Sequence, residues 1–150
     1  MADKQIARVK GNDMPISTKH AIEICNFIRG KKLHKSVEYL QKVSELKVAI
    51  PYTRMNRGVG HRSGHMGPGR YPEKAARHII QLLNSLEANA QNKGLDVNAL
   101  VIKQIIANKA AEPWHPGRHR RIKMKRTHIE IVAEEAEKKQ KKEENKADKK

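Results

Sequence analysis

Two pairs of histidines in this chain have a spacing that chemistry can use. His61 and His65, and again His115 and His119, stand four residues apart, the separation that on a helix brings two imidazoles to one zinc ion. Neither pair lies where a helix can form. His61 and His65 sit among glycines, His115 and His119 flank Pro116-Gly117, and arginines crowd both. Neither stretch adds the cysteines or the carboxylate set that a tetrahedral site needs, so no metal and no cofactor is expected. A histidine in a basic loop stacks on a base or bonds a phosphate instead.

Covalent and acid–base catalysis find no better footing. Cys25 is the single cysteine, which excludes an internal disulfide. Its neighbours Ile24 and Ile28 put it on an apolar helix face as a buried thiol, and His20, five residues back, is off that face. Only ten acids precede residue 134 and none of them cluster. Gly58-Val59-Gly60 lacks the third glycine of a dinucleotide fingerprint and joins no strand to a helix. The chain is not expected to be an enzyme.

What remains is cationic. Residues 51–72, PYTRMNRGVGHRSGHMGPGRYP, hold five glycines, four arginines (Arg54, Arg57, Arg62, Arg70), His61 and His65, and no acid. Such a stretch cannot build a core. Arginine among glycines, with Tyr52 and Tyr71 near the ends, suits backbone that approaches phosphates while side chains fork or stack; a disordered linker is the alternative. From Lys109 to Arg126 there are seven more cations and one acid, Glu112, beside the only tryptophan, Trp114.

The elements that must carry these groups follow from periodicity. Leu100 to Val132 reads as two β-prone runs around Glu112-Pro113-Trp114-His115-Pro116-Gly117, a hairpin. With the turn centred on Pro116-Gly117 the outgoing arm is about 17 residues, or roughly 50 Å. Its base is apolar, with Leu100, Val101, Ile102, Ile105 and Ile106 facing Ile129, Ile131 and Val132. Its distal part, 107–126, has no such surface, so it needs a polyanionic partner or else stays a solvated loop. Ile6 to Lys10 alternates as a strand that pairs with the hairpin base, and Gly11-Asn12-Asp13 breaks it. Ser17 caps a first helix that Gly30 closes. Lys31 and Lys32 follow, near that helix's negative end and equally suited to phosphate. A second helix spans about Leu33 to Leu46. The longest opens at Pro72, carries Ala76, Ile79, Ile80, Leu83, Leu86 and Ala90 on one stripe, and ends before Gly94. Residues 134–150 are a Lys/Glu tail with nothing to bury.

The net charge of +16 and pI near 10.1 concentrate polyanions at the surface. No apolar run approaches a transmembrane length, and the start has no signal-peptide core, so a soluble, intracellular protein with no membrane partner is expected.

Placed in this order, the parts resemble the L twenty-two family of large-ribosomal-subunit proteins in its archaeal or eukaryotic form, over roughly residues 5–133. The resemblance rests on Met14-Pro15-Ile16-Ser17, Ile28-Arg29-Gly30-Lys31-Lys32, the Ala75-Ala76 helix running to Leu86-Glu87-Ala88-Asn89-Ala90, and Arg126-Thr127-His128-Ile129. It implies an α+β fold: three helices packed on a small antiparallel sheet, with a long projecting β-hairpin, as one domain over 1–133. It also implies a cytoplasmic, monomeric constituent of the large subunit, with ribosomal RNA, neighbouring ribosomal proteins and the nascent polypeptide as partners. By the resemblance the tip, Trp114, His115, Pro116, Gly117, Arg118, His119, Arg120 and Arg121, lies at the exit tunnel. Lys123, Lys125 and Arg126 meet RNA along the arm. Bacterial members lack most of the 51–72 insertion, so its RNA contacts are assigned on chemistry alone.

The expected function is therefore structural: binding ribosomal RNA, stabilising its fold during assembly and lining the tunnel. The RNA-binding set is Lys31, Lys32, Arg54, Arg57, His61, Arg62, His65, Arg70, Arg118, His119, Arg120, Arg121, Lys123, Lys125 and Arg126. A DNA-compacting basic protein fits the charge as well, and a metal-dependent nuclease would require metal in the histidine loops.

Overall fold

The computed structural model describes residues 6–135, so the tail expected from residue 134 lies, beyond Glu135, outside the described residues. Strands β1 (Ile6–Met14), β5 (Leu100–Lys109) and β6 (Thr127–Glu135) form an antiparallel sheet in the order β1-β6-β5. A smaller sheet joins β2 (Ile50–Pro51), β3 (His61–Arg62) and β4 (Gly67–Arg70) in the order β2-β4-β3. Three helices, α1 (Thr18–Ile28), α2 (Leu33–Ser44) and α3 (Glu73–Asn92), complete the α+β fold that the sequence led us to expect.

The large sheet is apolar on one face because its strands alternate. Ala7, Ile129, Ile131, Ala133, Ile102 and Ile105 are all fully buried. A bulge between Ile102 and Gln104 shifts the phase of β5, so Ile105 continues the inner face while Ile106 and Val132 are only half-buried. The helices lay their stripes on this core: Ile24 and Ile28 from α1, Leu33 and Leu40 from α2, and Ile79, Leu83 and Leu86 from α3. Each such side chain contributes roughly 1.5–3 kcal/mol of transfer free energy.

Both edges of the large sheet are closed by the chain itself. On the β1 side, Asn89 Nδ2 donates to the Arg8 carbonyl at 3.1 Å and Lys93 Nζ to that of Ile6 at 2.8 Å. On the β5 side, Gly30 N donates to Ile102 O at 2.8 Å, Ile102 N to Lys31 O at 3.0 Å, and Arg29 Nη2 to Ile105 O at 3.1 Å. Two of the strings that carried the family resemblance, Arg29-Gly30-Lys31 and Asn89, thus satisfy strand groups that would otherwise be open to another chain.

Several sequence expectations are corrected. Gly11-Asn12-Asp13 does not end β1, which runs to Met14 across an irregularity in its pairing with β6. Gly11 is a packing glycine: a Cβ there would stand 2.9 Å from Leu82 Cδ1 of α3 and 2.7 Å from Met14 Sδ. Ser17 occupies the N-cap position of α1 but makes no side-chain cap bond. The second helix ends at Ser44, and Leu46 is exposed with φ +62°.

The hairpin is shorter as a regular ribbon than expected. Its ladder ends at Lys109 opposite Thr127, and the ten residues of β5 span roughly 33 Å rather than 50 Å. Beyond it the arms stay antiparallel but irregular, with Ala110 N to Arg126 O, Met124 N to Pro113 O and His115 N to Ile122 O at 3.2, 2.8 and 2.9 Å. Pro113 and Pro116 offer no N–H, so a continuous ladder is impossible. The turn is centred later than Pro116-Gly117, on a 3-10 turn at Gly117–His119.

Candidate nucleic-acid interface

The basic 51–72 segment is built onto the body, which its composition did not suggest. Ile50 and Tyr52 are buried in the core, and the small sheet closes the segment on itself, with Tyr52 N donating to Pro68 O at 2.9 Å. Its first turn is held by a residue the sequence reasoning missed. Glu23 of α1 is 1% exposed, and its carboxylate accepts from the backbone amides of Thr53 (3.2 Å), Arg54 (2.9 Å) and Met55, and from Thr53 Oγ1 (3.4 Å). Charge-assisted bonds of this kind are about twice as strong as neutral ones, which is how a carboxylate is tolerated in a core. Glu23 is the one acid in α1 and adjoins the apolar stripe of Ala21, Ile24, Cys25 and Ile28, but nothing local to the helix marks it as buried.

The outcome is a loop whose backbone is tied inward while its cations point out. Arg54, Arg57, His61, Arg62, His65 and Arg70 are all exposed. Arg62 is partly engaged: its Nε donates to Gly69 O at 3.1 Å, and its guanidinium lies 5.0 Å from the Tyr71 ring. Gly69 permits this, since a Cβ there would meet Arg62 Cγ at 2.9 Å. At this glycine the close approach is to the chain's own arginine.

In the hairpin, Arg118, His119, Arg120 and Arg121 occupy the turn and are exposed, as are Pro116 and Gly117. Trp114 stays 58% exposed beside half-buried His115, and Lys123 Nζ sits 4.7 Å above the indole. Lys125 is exposed and Arg126 half-buried at the neck. There Thr127, fully buried, donates to the Ile16 carbonyl at 3.1 Å and pairs with Thr18 Oγ1 at 2.9 Å, fastening the hairpin to the start of α1.

The loop and the neck converge on His20. Its Nδ1 shares a 2.8 Å hydrogen bond with the Tyr52 hydroxyl. Burial, then the charges of Arg70 and Lys125, lower its pKa, which favours the neutral imidazole. Burial likewise pushes the Tyr52 phenol up to about 12.

Lys31 and Lys32 belong to neither group. They sit against Val101 and Ile102 at the opposite end of β5. Lys31 Nζ lies 3.1 Å from the centroid of Phe27, and burial lowers its pKa; Lys32 is exposed. Among the described residues no group of three or more His, Cys, Asp or Glu could hold a metal ion, and no helix is long and apolar enough to cross a membrane.

Among the described residues the arrangement is two exposed cationic surfaces on a sealed core. Comparison with known proteins gives the family. The family described as Ribosomal protein L22p/L17e matches residues 9–134. The large ribosomal subunit protein uL22 of Archaeoglobus fulgidus is 44% identical over 139 residues, 88% of this chain and 90% of that protein. The proteins of the same name from Methanosphaera stadtmanae and Nanoarchaeum equitans are 41% and 40% identical, covering 90% and 88% of this chain and 92% and 80% of their own lengths.

Proposed function

The chain belongs to the ribosomal protein L22p/L17e family, in its archaeal type, and on that premise we propose that it holds large-subunit ribosomal RNA through two surfaces and lends its hairpin tip to the wall of the nascent-chain tunnel. Its role in translation is structural and non-enzymatic, as a cytoplasmic constituent of the large subunit. The first RNA surface is the 51–72 loop, through Arg54, Arg57, His61, Arg62, His65 and Arg70. The second is the arm, through Lys123, Lys125 and Arg126, continuing into Arg118, His119, Arg120 and Arg121. Lys32 contributes a lesser contact at the far end of β5, with Lys31 partly withdrawn onto Phe27.

The observation that carries this reading is the tip: a tryptophan and four basic residues, exposed together at the end of an irregular arm. Such an end is stabilised by a polyanion along its length, and release of condensed counterions drives that association. Neighbouring large-subunit proteins and the nascent polypeptide complete the partners, and the protein acts as a monomer within the particle. The test is sedimentation of a lysate through a sucrose gradient, before and after a high-salt wash. The protein is expected to stay with the large subunit after the wash, because the arm is threaded into RNA; recovery as free protein, or on DNA, would overturn the reading.

A further inference from the structure

A cleft of about 670 Å³ lies between the neck of the hairpin and the start of α1 and α3, within the size range of small-ligand sites. Its two halves differ in chemistry. Pro15, Ile16 and Pro72 from the body and Ile122 and Met124 from the hairpin make an apolar floor, to which Ile122, 56% exposed, presents one of the few large hydrophobic side chains left in solvent. Lys74 from α3 and Lys125 and Arg126 from the neck stand at the rim, against one acid, Asp13. Among the described residues, none of these three cations is in an ion pair. Lys123 also lines the cleft but is turned onto Trp114.

A ligand that fits must carry a flat apolar face and an anion a few ångströms away from it. Duplex RNA does not, since its bases are stacked inside and only ribose and phosphate face outward. An unstacked nucleotide does: its base can lie on aliphatic side chains while its phosphate reaches the rim. We propose that this cleft takes a single unstacked nucleotide of RNA, its base on Pro15, Ile122 and Met124 and its phosphate among Lys74, Lys125 and Arg126. The nucleotide bridges the arm and the body. His20, at the cleft wall, adds a polar group.

The proposal rests on the protein's being an RNA binder, and methionine reporters separate the two claims. Met124 lines the cleft, whereas Met55 and Met66 lie in the basic loop. The full-length protein, labelled with carbon-13 at its methionine methyls, is titrated with a uridine hexanucleotide, with a duplex RNA of equal phosphate count, and with oligoglutamate. The hexanucleotide is expected to shift Met124 several-fold more than the duplex, which reaches that stretch only through phosphate contacts to Lys123, Lys125 and Arg126, and the duplex is expected to shift Met55 or Met66. Replacing the exposed pair, Lys74→Ala with Lys125→Ala, is expected to abolish the Met124 response and weaken hexanucleotide binding roughly tenfold. A Met124 shift with duplex or oligoglutamate as large as with the hexanucleotide would overturn the proposal. Loop shifts with RNA and none at Met124 would remove the cleft but leave the RNA-binding reading; no shift with any RNA would remove both.

Discussion

Glu23 decides whether the basic loop has a defined shape. Replacing it by alanine orphans three amides, those of Thr53, Arg54 and Met55. The expected destabilisation is about 3 kcal/mol in urea unfolding, with amide exchange at residues 53–55 accelerated more than in α3. A loss below 0.5 kcal/mol, on the order of a surface substitution, would mean that the carboxylate is replaceable by water. His20 makes a pH dependence. Its pKa is lowered on folding, so the unfolded chain binds the proton more tightly. Stability is therefore present above the unfolded value, near 6.5, and is lost as pH falls below it. His20→Asn should flatten that part of the melting-temperature profile between pH 7 and pH 5; an unchanged slope would assign it elsewhere. The sequence was legible for the exposed cations at this scale and illegible for Glu23. A lone acid on an amphipathic helix reads as solvated surface until the segment that covers it, thirty residues on, is in place.

At the scale of elements, the three helices and the main strands were readable because each carries a clean period and a stop. Boundaries failed where tertiary contacts override local signals. Gly11 looked like a break but makes room for Leu82, and the arm shortened because Pro113 and Pro116 remove donors that only the pairing register brings into question. Edge closure was hidden as well, since the strings around Arg29-Gly30 and Asn89 matter through backbone partners far away in sequence. Asn89→Ala combined with Lys93→Ala opens the carbonyls of Arg8 and Ile6. We expect a loss of about 1–2 kcal/mol in chemical unfolding and increased self-association by light scattering as β1 becomes a free edge. Monomeric behaviour at unchanged stability would show that these side chains only decorate the edge.

For the whole molecule, the exposed cations of the loop and of the arm form two surfaces that meet at His20, while Lys10 with Glu130 and Lys103 with Glu134 are ion pairs of the main sheet. Salt dependence measures how many cations reach phosphate. Arg120→Ala with Arg121→Ala should reduce the slope of log K against log salt by roughly 1.5, two phosphates' worth; an unchanged slope would take the tip out of the RNA interface. The tunnel claim can be tested with one thiol. Cys25 is 2% exposed and its thiol is pushed up to about 12 by burial, so it does not react in the folded protein. Arg118→Cys then supplies the only reactive sulfur, at the hairpin turn. With a short photo-crosslinker on it, in ribosomes halted on a nascent chain long enough to fill the tunnel, we expect an adduct between this protein and the nascent polypeptide. Adducts with RNA alone, at every chain length tried, would contradict the account.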